Sequence, residues 1–218
     1  MKPNVIVFGK GTLAIRISEW FLRSDKYELA MVAPVIPEPT WTDSISQWAF
    51  KNGVPVIESG HYKDIPNVKD DKWEIDLAIS VFYEKIIKEW FIKKCKRILN
   101  LHNSPLPKYR GVSPINWALK NGEIEHGVTI HEITPGIDDG PIVAQLKYSI
   151  YPDFEEVIDV YNKALLYGYL LFEQTMPVLD KIVARPQDES LAKYYSAKEN
   201  HLLGEYRYFT KNENKSRS

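Results

Sequence analysis

Val5-Ile6-Val7-Phe8-Gly9-Lys10-Gly11-Thr12-Leu13-Ala14 is the stretch that decides the fold. Four apolar residues in succession, three of them β-branched, end at a glycine. A run of that length without alternation is the pattern of a strand buried on both faces. Behind it Leu13, Ile17, Trp20 and Phe21 recur at helical spacing, with Arg16, Glu19 and Arg23 opposite them, which predicts an amphipathic helix. Residues 29–35 are apolar again after a charged turn. Strand, helix and strand at this spacing make a βαβ unit and imply a parallel sheet with right-handed crossovers.

Working outward, Pro37-Glu38-Pro39 breaks the chain. Thr42 or Asp43 is placed to cap a second helix carrying Ile45, Trp48 and Ala49, with Gly53 as its stop. Residues 54–57 read as a short strand and 77–82 as a central one. A helix with Ile86, Ile87, Trp90 and Phe91 and a strand over 97–102 follow. Asn103-Ser104-Pro105-Leu106-Pro107 is a stiff loop, because each proline fixes its own φ and biases its predecessor away from helix. Residues 114–120 read as a short helix, and 127–133 and 142–150 as antiparallel partners. Asp153 and Glu156 form a capping-box pattern for a helix to about Thr175. The expected fold is α/β and Rossmann-like: a mostly parallel twisted sheet, helices on both faces, and an antiparallel hairpin near the C-terminal part. The expected division is a catalytic domain over residues 1–185 and an extension over 186–218, its lysine-rich tail from Glu199 partly disordered.

The balance of 28 basic against 29 acidic residues gives no global attraction to nucleic acid or acidic membranes. A single cysteine, Cys95, rules out an internal disulfide and a cysteine-rich zinc site, and among solvated lysines it reads as a spectator. The opening apolar run is too short for a signal peptide core, and no stretch approaches the ~18 apolar residues of a membrane span. The expected location is the cytoplasm.

Gly9-Lys10-Gly11-Thr12-Leu13-Ala14 fits G-x-G-x-x-A between a strand and a helix. Such a loop serves a dinucleotide, a phosphate-bearing substrate near Lys10 and Thr12, or simply tight strand–helix packing. An NAD site would add an acidic residue at the end of the second strand, and Met31-Val32-Ala33-Pro34-Val35 has none.

The chemistry concentrates in Asn100-Leu101-His102 and in Gly136-Ile137-Asp138-Asp139-Gly140. Asn100 and His102, two apart at a strand end, leave the same face, at the edge where open α/β sheets bind ligands. An amide, an imidazole and a carboxylate suit acyl transfer to an amine: the amide steadies an oxyanion, the imidazole handles protons, and the carboxylate orients it. The amine attacks for itself, so no serine or cysteine nucleophile is needed. A strand-end histidine and an aspartate in a glycine-rich turn are also ordinary structural residues. His126 and His131 read as strand or turn positions. A metal site from His102, His131 and Asp138 matches no common ligand spacing, and no metal is expected.

Asn100-Leu-His-Asn-Ser-Pro-Leu-Pro-Lys-Tyr-Arg-Gly, then Pro114-Ile-Asn-Trp-Ala-Leu, Gly127-Val-Thr-Ile-His and Asp138-Asp-Gly-Pro-Ile-Val-Ala-Gln, resembles the 10-formyltetrahydrofolate-dependent formyltransferases. The resemblance implies that Asn100, His102 and Asp138 are the catalytic trio, with Asp139 excluded by the D-x-G spacing. It implies 10-formyltetrahydrofolate as co-substrate, with Phe82, Tyr83, Ile86, Leu106 and Ile137 as its contacts. Lys10, Thr12 and Arg110 are implied at a substrate diphosphate. The wording is most similar to sugar-nucleotide formyltransferases of surface polysaccharide (O-antigen) synthesis. The implied acceptor is therefore a nucleotide-linked amino sugar, UDP-4-amino-4-deoxy-arabinose or a dTDP-linked 4-amino- or 3-amino-dideoxy sugar such as dTDP-4-amino-4,6-dideoxyglucose, with a homodimer left open. Methionyl-tRNA and glycinamide ribonucleotide are the acceptors of other branches. Gly11-Thr12-Leu13 departs from the serine-asparagine loop of the ribonucleotide branch, and the sequence has no counterpart of the barrel domain of the tRNA branch. An NAD-linked reductase and a non-catalytic ligand-binding module are the rival classes.

Overall fold

The structure is a computed structural model that describes residues 2–210. The chain forms two compact units. One ends at Leu101 and takes in Glu132–Pro135; the other holds His102–His131 and everything described from Gly136 onward.

The first unit is the parallel α/β part. Its elements are β1 (Asn4–Gly9), α1 (Gly11–Leu22), β2 (Glu28–Pro34), α2 (Ile45–Lys51), β3 (Ile75–Val81), α3 (Glu89–Ile92) and β4 (Cys95–His102), whose last residue passes into the second unit. The strands lie in the order β2-β1-β3-β4, all parallel. Val5, Ile6, Val7 and Phe8 are all fully buried, which is why that run is continuously apolar rather than alternating. Ile6 and Phe8 pack with Tyr62, Ala78, Phe91 and Ile98, while Leu13, Ile17 and Phe21 form the buried stripe of α1. Gly9 has φ +151°, and a Cβ there would stand 2.0 Å from the Val81 carbonyl oxygen, so close approach of β3 requires glycine.

Three local expectations are corrected. Residues 54–57 make one bridge, Val56 to Val32, because Pro55 has no N–H to continue a ladder. The helix expected from Ile86 begins at Glu89: the Tyr62 hydroxyl donates to the Ile86 carbonyl and accepts from the Lys88 N–H, holding that turn out of helix. Ser44, rather than Thr42 or Asp43, caps α2 by accepting from the Gln47 N–H.

The second unit contains β5 (Arg110–Gly111), α4 (Pro114–Lys120), β6 (Glu125–Glu132) up to its last residue, which belongs to the first unit, β7 (Ile142–Ser149), α5 (Val157–Thr175) and β8 (Tyr194–Tyr195). β6 and β7 pair antiparallel, with a register shift between Ile130 and His131; β5 and β8 pair parallel. Val157, Val160, Ala164, Leu171 and Phe172 form the buried face of α5. Its capping box is Glu156 with Asp159, three residues beyond the expected pair, because Tyr151 to Glu155 form a turn closed onto Tyr151. Residues 199–207, expected within a partly disordered tail, lie in a 3-10 segment (Ala197–Arg207) with Leu203 buried. The part of that expectation covering residues 211–218 lies outside the described residues. Among the described residues no helix is long and apolar enough to cross a membrane. The fold class is thus the Rossmann-like α/β one implied by the sequence, with the antiparallel hairpin in the C-terminal part.

Candidate active site

β4 ends in Asn100-Leu101-His102, so its period of two sends the Asn100 and His102 side chains to one face. His102 is buried, at 7 % exposure. Its Nε2 lies 2.8 Å from the Tyr109 carbonyl oxygen. A carbonyl only accepts, so Nε2 carries a proton, and Nδ1 is the nitrogen left for proton transfer. Nδ1 stands 3.6 Å from Asp138 Oδ2, an ion-pair separation slightly beyond a hydrogen bond.

Asp138 is also gripped by two other groups. The Gly111 N–H donates to Oδ2 at 2.9 Å, and His131 Nε2 lies 3.4 Å from Oδ1. Burial alone pushes this carboxyl's pKa up. The charge of His102, the hydrogen bond and charge of His131 and the Gly111 N–H outweigh burial and hold it well below the usual carboxylate range. The carboxylate is therefore ionised at neutral pH. Asp139 is exposed, so the structure separates the two neighbouring acids as the D-x-G spacing does.

The backbone here is held in costly conformations. Tyr109 (φ +62°) and Asp138 (φ +51°) are in the left-handed region, which ordinary residues avoid at a cost of order 1 kcal/mol each. Tyr109 is fixed by stacking on Tyr195, which stacks on Trp117, with centroids 5.4 and 4.6 Å apart. The loop after His102 is tied by Thr129: its hydroxyl donates to the Ser104 carbonyl and accepts from the Leu106 N–H and from Gln145 Nε2. Gly111, at φ +93°, is required because a Cβ would meet the Tyr195 carbonyl oxygen at 2.2 Å.

The remaining expected site residues divide clearly. Arg110 is 8 % exposed, and its guanidinium is taken up by Gln187 and by both oxygens of Glu189. The guanidinium expected at a diphosphate is thus held by intramolecular partners. Leu106 is buried at 2 %. In the first unit Tyr83 packs against Phe8 and donates to the Gly60 carbonyl; burial pushes its phenol up to about 12. Phe82 (φ +56°) follows β3 directly and is half-buried, while Ile86 is exposed, as is Ile137 in the second unit. Lys10 pairs with Glu84, and Thr12 donates to Asp43.

Two groups were missed in the sequence. His131 was read as a strand residue, although it stands two positions from Thr129 and so shares its face; the register shift beside it carries no motif. Gln187 gives no local signal at all.

The second unit also holds a cavity of about 280 Å³ lined by Asn103, Ser113, Asn116, Tyr161, Arg207 and Phe209, among others. Asn103, directly after His102, has a buried side-chain oxygen with no partner among the described residues.

Comparison with known proteins gives the family. A family model described as formyl transferase matches residues 2–172. Among solved structures the chain is similar to WlaRD, a sugar 3N-formyl transferase solved in the presence of dTDP and 5-N-formyl-THF. That likeness is 27 % identity over 91 % of this chain and 71 % of that one, with a TM-score of 0.78. It is similar to the same degree, 27 % identity, to an N-formyltransferase from Helicobacter canadensis in complex with folinic acid and dTDP-3-aminofucose. There 91 % of this chain and 72 % of that one are covered, with a TM-score of 0.77. A 4-N formyltransferase from Francisella tularensis, at 19 % identity, shares the fold over 91 % of this chain and 78 % of that one, with a TM-score of 0.73.

Proposed function

Since the chain belongs to the formyl transferase family, we propose that it transfers the formyl group of 10-formyltetrahydrofolate to the amine of a nucleotide-linked amino sugar. The observation that carries this reading is the His102–Asp138 pair, with Nε2 already committed to Tyr109 and Nδ1 facing the ionised carboxylate. The sugar amine attacks the formyl carbon, a C–N bond forms, and the former carbonyl oxygen becomes an oxyanion. Asn100, two residues along β4 from His102, donates its amide N–H to that oxygen. The proton lost by the amine goes to His102 Nδ1, and Asp138 stabilises the imidazolium. When the bond to the folate N10 breaks, that nitrogen takes up the proton and tetrahydrofolate leaves.

The second unit's cavity supports a nucleotide-bearing acceptor. Tyr161 and Phe209 supply aromatic faces for a base, and Arg207 a planar fork suited to a diphosphate. Of the acceptors that the sequence wording leaves open, WlaRD and the Helicobacter canadensis protein favour a dTDP-linked 3-amino sugar. Phe82 and Ile86 in the first unit are the half-exposed and exposed groups proposed for the folate. Lys10 and Thr12, in the first unit, stand as a separate reading of the diphosphate contact.

Formylation of dTDP- and UDP-linked 3-amino and 4-amino sugars, followed by mass spectrometry of the formamide product, tests the reading. Turnover on one of these acceptors is expected; inertness on all of them with 10-formyltetrahydrofolate present refutes it.

A further inference from the structure

Gln187 lies beyond the residues that the family model matches, on the chain between α5 and β8. Its side-chain amide has four hydrogen-bonding positions, and all four are filled. Oε1 accepts from Arg110 Nε at 3.0 Å and from Nη2 at 2.8 Å. Nε2 donates to the carbonyl oxygens of Asp138 and Gly140, each at 2.8 Å. The orientation of the amide is chemically forced: a guanidinium only donates and carbonyls only accept, so no flipped arrangement satisfies both sides.

These bonds close a ring. Gln187 holds the Asp138 backbone; the Asp138 carboxylate accepts the Gly111 N–H; Gly111 follows Arg110; and the Arg110 side chain returns to Gln187. β5, which contains Arg110 and Gly111, is paired with β8 a few residues after Gln187, so the ring is anchored on both sides. Asp138 needs such an anchor, because its left-handed φ of +51° is one an aspartate leaves readily when nothing opposes it.

We propose that Gln187 is a positioning residue for formyl transfer, its amide fixing the Asp138 loop so that the carboxylate stays opposite His102 Nδ1. The proposal rests on the catalytic reading of His102 and Asp138. It assigns to this chain's own C-terminal stretch, beyond the N-x-H and D-x-G motifs, the task of holding the carboxylate in place.

The test compares Gln187→Glu, which keeps an acceptor for Arg110 but loses both donors to the loop, with Gln187→Met, which keeps length and removes every bond. Glu189→Gln serves as the control, since Glu189 touches Arg110 from the exposed side. Steady-state kinetics and the ¹⁵N imidazole resonances of His102 are read on each. In the Gln187 variants kcat is expected to fall roughly ten- to a hundredfold, the scale on which small misplacements of a catalytic group act. KM for donor and acceptor stays within about threefold, as for an interaction felt in the transition state alone, and the His102 resonances move. Gln187→Met decides if Gln187→Glu fails to fold. A folded variant with kcat unchanged and His102 resonances unmoved overturns the positioning role while leaving the proposed function standing. If the wild-type enzyme formylates none of the acceptors, the function fails instead, and the imidazole resonances still decide whether Gln187 positions Asp138.

Discussion

Replacing Asp138 with asparagine keeps the shape of the side chain and removes its charge. An amide oxygen still accepts from the Gly111 N–H, now 2.9 Å from the carboxylate. What is lost is the negative charge 3.6 Å from His102 Nδ1. At an effective dielectric constant of about 20, a unit charge at that separation stabilises an imidazolium by roughly 4 kcal/mol. That energy corresponds to about a thousandfold in rate if the imidazolium forms in the rate-limiting step. The Asp138→Asn enzyme is therefore expected to lose about three orders of magnitude in kcat, with smaller changes in KM, in single-turnover and steady-state formylation assays. Stability should separate from activity. Ionised Asp138 has its pKa depressed in the folded state, so its contribution is complete above the unfolded carboxyl pKa of about 3.9 and is lost as pH falls towards the folded value. The difference in unfolding free energy between wild type and Asp138→Asn should thus be flat near neutrality and shrink below about pH 4. A kcat within tenfold of wild type would refute the argument, because it would mean that no imidazolium forms beside this carboxylate on the reaction path.

Three other expectations follow from buried groups. Burial lowers the His126 pKa from 6.5 to about 4, with the charge of His102 adding to this and the Asn103 carbonyl opposing it. The unfolded chain therefore binds the extra proton first, and stability falls by roughly 3 kcal/mol as pH drops from 6.5 to about 4; urea titrations across that range should show it, and His126→Asn should lose that slope. Arg110→Lys cannot reproduce the two-sided contact with Gln187 and Glu189, so unfolding should cost about 1–3 kcal/mol less. The acceptor KM should hold within about twofold, whereas a diphosphate contact would raise it far more. Burial pushes the Cys95 thiol up to about 12, so alkylation at pH 8 should be slow on the native protein and rapid after denaturation.

What the chain states locally, it states well. Val5 to Phe8 must be a strand covered on both faces, because four consecutive apolar residues leave no side for water. The Asn100-x-His102 spacing sends two functional groups to one face by the pleat alone. The D-x-G spacing separates a half-buried Asp138 from an exposed Asp139. The starts of α3 and α5 were misjudged, because apolar spacing and capping patterns do not register a tyrosine hydroxyl or a turn that claims the same backbone groups.

Contacts between residues distant in the chain were left to tertiary structure. Arg110 looked like an anion-binding arginine, and only the fold brings Gln187 and Glu189, 77 and 79 residues later, to occupy it. His131 looked like a strand residue until the register shift beside it set its ring against Asp138. The physical reason is one of range. Periodicity and backbone preference act over a few residues, so sequence alone determined the main strands and which groups to propose for the reaction. The partners that fix those groups in charge and direction come from hydrogen bonds closed across long loops, whose geometry exists only once the chain has folded.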